Sequence, residues 1–579
     1  MQYRKLLTSR SAITKVQAVI VVAIVAIGVI AGAYYYNTTA HPAVQYKRTL
    51  IIAIPEEPES LDIQQVSWSN ELHDLVFQNT MNFDNKMNIV PDLAEAAEFD
   101  GTSIVVHYPA DVKFSSGNPI TAEALRDAME RYRKLSVYGS DYDSVERVEI
   151  VDEHTARIVL KQPSTYVWLN DIPVVYGAIV DVKAANEMGD AAFGLKPVGS
   201  GLFKVKEWVQ GSQVVLERND LYKTNLPFVQ NKGPNTYIDE IIIRFIPEDV
   251  TRLSELEAGT VEIMRGVPVD AVTKLKENPD VVMYESLTPG IEYIMINQKV
   301  PPLDDARVRQ ALNYAIDRDE LQLTLEGTVL PCYGYMSPSM LAYSSSAEDF
   351  AKSRYAYSPD KARSLLAEAG WTDTDNDGIV DKNGQPLTLT LLNPYDEPRL
   401  KRIGPLLQSQ FAKAGVRVEI REYDYRYIRD QTRHWNFELA ARYYSWHDPA
   451  GILPYLLHSE MANYTYSNPE VDKLLDEDFS GALAPEARVE LYTKLQRMWL
   501  EDAPFVPLFV NREFTAVRKS VQGLVVMPPF ATLFMNDVKV MAGTGQVIMP
   551  WLPLLLNVGL LVNFGCPASR KYDPEVSRS

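Results

Sequence analysis

The strongest pattern of chemically active residues in the sequence is a run of aspartates with the spacing D-x-D-x-D-G-x-x-D. Its members are Asp373, Asp375, Asp377 and Asp381. Carboxylates at alternate positions of a loop can converge on one hard cation, as they do in calcium-binding loops. The twelfth position holds Gly384, where such loops place a bidentate Glu. We expect either a structural calcium site or a plain Asp-Gly turn that leads into a hairpin at Asn383-Gly384.

The other residues that could act in catalysis are scattered. The sequence contains no phosphate-binding G-x-x-x-x-G-K-S/T loop and no H-E-x-x-H motif, and Gly199-Ser200-Gly201 does not complete the nucleophile motif G-x-S-x-G. No two of the seven His are three or four positions apart. Cys332 and Cys566 are far apart and lack the neighbours of a nucleophile. We therefore predict that the protein is not an enzyme and requires no cofactor.

Composition excludes several classes of protein. The 579 residues include 57 Lys and Arg against 76 Asp and Glu, a formal net charge of −19 that would repel a phosphate backbone, so we predict no nucleic-acid partner. Apolar residues make up 46% and charged residues 23% of the chain, which is typical of globular proteins. Two cysteines are too few for a disulfide scaffold or a zinc ribbon.

The beginning of the chain predicts export. Residues 1–15 form a basic tail without acids, and residues 16–36 contain no charge. At about 1.5 Å per residue, this run spans the ~30 Å hydrocarbon core. It is either a transmembrane anchor behind a cytoplasmic tail or a signal peptide cleaved after Ala33, at an A-x-A pattern. In both cases residues 37–48 are a linker, and the rest lies at the extracellular face of the cell membrane.

A second apolar run lies in the tail formed by residues 541–579. Residues 547–564 carry no charge but contain two Pro and two Asn. The run is either a second membrane segment or a tail that docks on the exported part. If it spans the membrane, Cys566 faces the cytoplasm and cannot pair with Cys332, and we predict no disulfide between them.

Between these ends the chain reads as mixed α and β structure. Alternating or continuous apolar runs predict strands, and capping residues followed by apolar stripes predict helices. The predicted strands are 50–54, 103–107, 155–160, 238–246 and 387–392, and the predicted helices begin at Thr121, Asp305, Ser358-Pro359 and Asn468-Pro469. Strands and helices alternate without a low-complexity linker, which favours lobes built from discontinuous segments.

A series of motifs in this region resembles the extracellular solute-binding proteins of the oligopeptide-binding class, family 5, which serve peptide, nickel and oligosaccharide ABC transporters. The matching segments, in order, are 49–63 (TLIIAIPEEPESLDI), 90–97 (VPDLAEAA), 112–125 (VKFSSGNPITAEAL), 196–208 (KPVGSGLFKVKEW), 216–222 (LERNDLY), 297–318 (NQKVPPLDDARVRQALNYAIDR), 466–475 (YSNPEVDKLL) and 501–509 (EDAPFVPLF). The aspartate-rich loop also resembles a loop found often in this family.

The resemblance implies an α/β, two-lobed fold of the periplasmic-binding-protein type with a third, inserted domain. Lobe I would gather residues 49–82, 199–285 and 510–540, the inserted domain II would be 83–198, and lobe III would be 286–509. The implied function is capture of a solute between two lobes and delivery to the permease subunits of an ABC importer. We expect a monomer. An exported scaffold or adhesion protein, or an enzyme on the same scaffold, stays the alternative.

The resemblance also suggests where the ligand binds. Peptide-binding relatives place an Asp three residues before an acidic residue and a Pro, and that Asp pairs with the free amino group of the peptide. Here Ser445 has that position, before Asp448 and Pro449. An ammonium ion buried without a carboxylate loses a charge-assisted hydrogen bond. We therefore expect an uncharged or polyhydroxylated ligand, oligosaccharide before oligopeptide, that stacks on Trp446.

Four further residues are candidates for contact with the ligand. They are Trp68, Ser200, Asn297 and Asp448. Trp68 lies in the matching N-terminal segment, and Ser200 lies in a stretch that passes near the hinge in the family. For Ser200 the alternative is a role in hinge architecture, and for the aromatic residues around Trp446 it is packing in the core of a lobe.

Overall fold

The computed structural model describes residues 20, 23–32, 34, 45–460, 466–480 and 483–542. The chain divides into two units, residues 47–540 and residues 1–46 with 541–579. In the second unit, residues 20, 23–32 and 34 are helical and exposed. No helix of the described residues has the length and the apolar character that a membrane crossing requires. Part of the predicted segment 16–36 and all of 547–564 lie outside the described residues, as does Cys566.

The strands of residues 45–287 are β1 (Tyr46–Lys47), β2 (Thr49–Ile54), β3 (Met81–Phe83), β4 (Ile89–Pro91), β5 (Ala96–Phe99), β6 (Ser103–His107), β7 (Val145–Ile150), β8 (Thr155–Leu160), β9 (Phe203–Val209), β10 (Gln213–Arg218), β11 (Glu240–Phe245), β12 (Ile263–Met264) and β13 (Val281–Leu287). The helices of the same region are α1 (Glu71–Val76), α2 (Ala122–Leu135), α3 (Tyr166–Asn170), α4 (Val182–Met188), α5 (Asp190–Leu195), α6 (Asp249–Ala258) and α7 (Val272–Glu277).

The strands of the described residues beyond 287 are β14 (Glu292–Ile296), β15 (Val329–Pro331), β16 (Asp381–Lys382), β17 (Gln385–Pro386), β18 (Thr388–Pro394), β19 (Arg417–Tyr423), β20 (Leu439–Tyr443), β21 (Phe505–Arg518), β22 (Val521–Gln522), β23 (Val525–Met527), β24 (Thr532–Phe534) and β25 (Lys539–Met541). The helices are α8 (Ala306–Tyr314), α9 (Arg318–Thr324), α10 (Ser345–Arg354), α11 (Pro359–Glu368), α12 (Pro398–Lys413), α13 (Tyr425–Arg433), α14 (Leu453–Leu457), α15 (Pro469–Ser480) and α16 (Pro485–Asp502).

One strand, β21, belongs to both halves of the largest sheet. Its residues 505–509 pair with β14, and its residues 512–518 pair with β13. On one side of β21 the sheet continues through β12, β2, β11, β10 and β9. On the other side it continues through β14, β20, β18 and β19. The chain therefore crosses between the two halves along β21 and along the short segment from β13 to β14. This arrangement is the pair of crossing strands expected between two lobes.

Each half of the sheet contains parallel strands, and their sequences reflect how far they are buried. β2 (TLIIAI) lies between β11 and β12 and is parallel to both, and β18 is parallel to β19 and β20. Parallel strands are often covered on both faces and then read as continuous apolar runs; β2 does so after Thr49, whereas β18 (TLTLLNP) begins with alternating half-buried and buried residues. A separate antiparallel sheet has the order β5-β6-β8-β7, and β8 alternates half-buried and buried residues.

The buried apolar residues form three large cores. One lies within residues 291–510, a second gathers residues 50–77, 175–245 and 517–540, and a third lies within residues 81–179. The predicted domain 83–198 contributes to two of these cores, because several residues of 175–193 pack in the second. The predicted domain boundaries stay predictions.

The elements predicted from local sequence are confirmed. β6 and β8 have the predicted bounds, and helix α11 begins at Pro359 with the Ser358 side chain accepting a hydrogen bond from the Lys361 amide. α15 begins at Pro469 as expected. The Asn383-Gly384 hairpin joins β16 to β17, with both turn residues at positive φ. Within the described ranges Cys332 is a buried thiol without a disulfide, and burial raises its pKa; since Cys566 lies outside those ranges, the absence of a Cys332–Cys566 disulfide stays a prediction.

The crossing segment from β13 to β14 depends on Gly290. A Cβ atom there would lie 1.8 Å from the carbonyl oxygen of Tyr444. Gly290→Ala forces the backbone to shift, and we expect the free energy of unfolding to fall by about 2 kcal/mol or more. Gly233→Ala is the control, because the nearest atom to its added Cβ is 3.9 Å away. Urea denaturation measures both, and equal stability of the two variants would contradict the close approach at Gly290.

Candidate ligand-binding site

A cavity of about 250 Å³ lies where four separate segments of the chain meet. The segments are 68–83, 173–176, 445–446 and 528–532. Three of the predicted ligand-binding residues line this cavity, namely Trp68, Ser445 and Trp446. These segments are far apart in the sequence, so the cavity exists only in the folded protein. It brings together the predicted aromatic residues Trp68 and Trp446.

Trp446 is fixed from two directions. Its indole Nε1 donates a hydrogen bond to Asn170 Oδ1 at 2.7 Å, and its ring lies 6.2 Å from the ring of Tyr176 with an interplanar angle of 25°. A Cβ atom on Gly451 would lie 2.0 Å from the indole nitrogen, so only glycine leaves room for the ring. Trp446 is half-buried, and it presents a rigid aromatic surface to the cavity.

Trp68 lies on the same cavity wall but is less constrained. Its side chain is 43% exposed. The next residue, Ser69, donates its amide hydrogen to the Tyr176 hydroxyl at 2.7 Å. This bond links the loop that carries Trp68 to the aromatic residue that stacks on Trp446.

His447 was missed by the sequence analysis, although it follows Trp446 directly. Its Nε2 is 2.7 Å from the Leu169 carbonyl oxygen, and its ring lies between Phe83 and Phe530, 5.3 Å and 5.7 Å away. Burial lowers the pKa of His447, so the neutral ring donates from Nε2. A scan for paired His could not find this residue, because its partners come from distant segments.

Asp448 lies behind the cavity, in a buried network of charges. Its carboxylate accepts from Arg488 Nη2 at 2.6 Å and from Asn170 Nδ2 at 2.8 Å. Arg488 also pairs with Asp478 at 2.7 Å. Asp448 does not line the cavity. It holds the segment that carries Trp446 against α3.

The other two predicted residues lie away from the cavity. Ser200 is buried between Gly199 and Gly201, whose added Cβ atoms would each lie 2.3 Å from a carbonyl oxygen at the end of α1. Asn297 is buried and donates to the carbonyl oxygens of Trp435 and Phe437 at 3.1 Å and 2.8 Å. Neither residue lines the cavity, and their contact with the ligand stays a prediction.

The cavity contains a carboxylate that the sequence analysis did not consider. Asp74 of α1 lies on its wall, in the same cavity as Ser445 and Trp446. Burial and the neighbouring Glu71 raise the pKa of Asp74 to about 7. The expectation of an uncharged ligand assumed that no carboxylate reaches the ligand, and Asp74 removes that premise.

The aspartate-rich loop forms a turn with three carboxylates close together. Oxygen atoms of Asp373, Asp375 and Asp377 lie within 4.8 Å of one another. The Asp381 carboxylate instead accepts hydrogen bonds from the amide and hydroxyl of Thr374, at 2.8 Å and 2.7 Å. Three of the four predicted ligands therefore come together, and Asp381 supports the loop.

This arrangement of two sheet halves, crossing strands and a cavity between segments defines a solute-binding protein. Residues 88–464 match the sequence model of a protein family, the bacterial extracellular solute-binding proteins, family 5. The chain belongs to this family, as the resemblance of its motifs predicted.

Characterised relatives cover most of the chain. The oligopeptide-binding protein AppA of Bacillus subtilis is 27% identical over 479 residues, which are 79% of this chain and 85% of that protein. The probable D,D-dipeptide-binding periplasmic protein DdpA of Escherichia coli is 26% identical over 520 residues, 86% of this chain and 94% of that protein.

Solved structures show the same fold. AppA from Bacillus subtilis in complex with a nonapeptide has a TM-score of 0.70 at 24% identity, and the match covers 86% of this chain and all (100%) of that one. NikA from Brucella suis in complex with Fe(III)-EDTA has a TM-score of 0.72 at 21% identity, over 84% of this chain and 100% of that one. At these identities the likeness establishes the fold alone.

Removing one partner from the buried Asp448 network should be strongly destabilising. Asp448→Ala leaves Arg488 without one of its two carboxylates and Asn170 without an acceptor, so we expect the free energy of unfolding to fall by about 3–5 kcal/mol. Asp220→Ala removes a side chain that is 75% exposed and paired with Arg218, and it should change stability by less than ~1 kcal/mol. Thermal and urea unfolding of both variants measure this, and similar losses would contradict the role given to Asp448.

Proposed function

We propose that the protein captures a short peptide or peptide-like solute in the cavity beside Trp446 and delivers it to an ABC importer. The observation that carries the proposal is the hydrogen bond from Trp446, which lines the cavity, to Asn170 at the end of α3, because it joins two segments that are distant in the sequence. A solute enclosed there meets the aromatic residues Trp68, Tyr176 and Trp446 of the cavity wall. Relatives named for oligopeptides, D,D-dipeptides and glutathione favour a peptide over a sugar.

The mechanism follows from the two crossings between the sheet halves. The segments at 287–292 and 509–512 are the places where a small backbone rotation changes the angle between the halves. Opening separates Trp446 and His447 from α3 and admits the solute, and closing restores their hydrogen bonds around it. The closed form is presented to membrane permease subunits, and a separate subunit hydrolyses ATP, since the sequence has no phosphate-binding loop.

The cellular location is part of the proposal. The apolar run 16–36 places the binding unit at the extracellular face of the membrane, either held by that run or released after its cleavage. We propose a monomer at that surface.

Binding to a panel of solutes tests the function. Isothermal titration with di- to nonapeptides, glutathione and a set of oligosaccharides should find binding among the peptide-like compounds. Trp446→Ala should weaken that binding about 5- to 30-fold, because a stacking contact of about 1–2 kcal/mol is lost. The control is Trp435→Ala, whose side chain is 44% exposed and lies outside the cavity. Binding of sugars alone, or equal effects of the two variants, would contradict the proposal.

We propose in addition that Asp373, Asp375 and Asp377 hold a structural calcium ion. Their oxygens are close enough to share one cation, although Arg417 also pairs with Asp377 at 3.1 Å. Saturating calcium should raise the free energy of unfolding by about 2–3 kcal/mol at a hundred times the dissociation constant. Asp375→Asn should abolish this gain, whereas Asp143→Asn, with a 73% exposed side chain, should leave it. A melting temperature that does not respond to calcium or chelator would identify the loop as a plain turn.

A further inference from the structure

Helix α1 is held rigidly at the edge of the cavity. Asn70 caps it, and His73 completes the capping box by accepting from the Asn70 amide at 3.2 Å. The other ring nitrogen of His73 is 3.1 Å from the Ser60 carbonyl oxygen. Burial lowers the pKa of His73 to about 4, so the ring is neutral and donates to Ser60. This anchoring fixes the direction in which the following residue, Asp74, leaves the helix.

Asp74 has no partner of its own for its charge. Within the described part of the chain, no hydrogen bond or ion pair reaches its carboxylate. Arg265, the cation whose charge acts on Asp74, pairs with Glu71 and donates to Thr515 Oγ1 at 2.5 Å. The charged and titratable groups that act on Asp74 are Glu71 on its own helix, Arg265 and Tyr176. Arg265 is thus committed elsewhere, and the carboxylate is left uncompensated.

The remaining wall of the cavity suits an organic cation. None of the described residues that line it is a Lys or an Arg. Its aromatic residues include Trp68, Tyr176 and Trp446, and the faces of such rings attract ammonium and guanidinium groups. A carboxylate without a partner, placed among aromatic faces, gives a positively charged group both a charge-assisted hydrogen bond and a favourable π surface.

We propose that the Asp74 carboxylate pairs with a cationic group, an ammonium or a guanidinium, of the bound solute. Asp74 then supplies from α1 the negative charge that Ser445 lacks on another segment of the cavity wall. This inference rests on the proposed solute-binding function and specifies the charge of the solute. The cationic group is either the free amino terminus of a peptide or a basic side chain, and both have the same chemistry at Asp74.

The test compares matched peptide libraries by isothermal titration. One tripeptide library has free amino termini and no basic residues, a second is the same library N-acetylated, and a third is N-acetylated with one Arg or Lys. The wild-type protein should bind the first or the third at least tenfold more tightly than the second, and the preferred library distinguishes the two sources of the cation. Asp74→Asn should weaken that binding about 10- to 100-fold and leave any binding of the second library within twofold.

Ser445→Asp in the Asp74→Asn protein provides a rescue. It places a carboxylate on another segment that lines the same cavity, and it should recover at least tenfold of the lost affinity for the cationic library. A structural role of Asp74 in α1 would not respond to a carboxylate on another segment. If Asp74→Asn does not fold, Ser445→Asp in the wild-type background should still raise affinity for the cationic library.

The pH dependence gives an independent readout. A cation binds the charged form of the Asp74 carboxylate. At a pH below the Asp74 pKa of about 7, the carboxyl group must therefore lose its proton when the cation binds. Affinity for the cationic library should therefore rise about eightfold from pH 6 to pH 7.5, and the rise should disappear in Asp74→Asn. The folded pKa lies above the usual value, so the empty wild-type protein should lose stability relative to Asp74→Asn as the pH rises from 4 to 8.

The possible failures are distinguishable. Equal binding of the three libraries, or unchanged discrimination in Asp74→Asn, overturns the role of Asp74 and leaves the proposed function in place if Trp446→Ala still weakens binding. Binding of no peptide library overturns both.

Discussion

The two hydrogen bonds of a single buried amide, Asn170, hold the walls of the cavity together. Its Oδ1 accepts from Trp446 at 2.7 Å and its Nδ2 donates to Asp448 at 2.8 Å. Both partners depend on further residues. The Trp446 ring packs against Gly451, where a Cβ atom would clash with it, and Asp448 forms an ion pair with Arg488. Because a buried amide or carboxylate without its partner is unfavourable, the closed arrangement is satisfied only when the two segments meet.

The same contacts adjoin one of the segments that connect the sheet halves, because the Trp446 amide donates to the Pro289 carbonyl oxygen at 2.7 Å. At the crossings the chain itself continues from one half to the other, along β21, which pairs with both β13 and β14, and along the segment from β13 to β14, so the halves stay connected during a small rotation. The contacts of Asn170 and His447 are side-chain bonds between segments, which such a rotation breaks. A solute that fills the cavity adds its own contacts to the closed form, and the equilibrium shifts by its difference in affinity for the two forms.

Much of the fold was predictable, because local rules decide it. Apolar runs gave β2 and β18, and Ser358 and Asp305 each cap a helix as their spacing indicates. The site was predictable only in part. Trp446 and Trp68 stand out by type and by resemblance, whereas Asp74 is one acid among 76 Asp and Glu. Its position on a six-residue helix does not reveal which side meets a cavity built from four distant segments. Asn297 shows the converse, since a family motif also marks a residue whose side chain bonds to backbone carbonyl oxygens.

The central claim is that the solute lies between the segments that carry Trp446 and Asp74. A crystal structure of the protein purified with its natural solute tests this most directly. The account predicts density for the solute against the Trp446 ring, with a positively charged group within about 3 Å of the Asp74 carboxylate. Density for the solute in another part of the molecule, or in this cavity with a neutral or acidic group at Asp74, would contradict it.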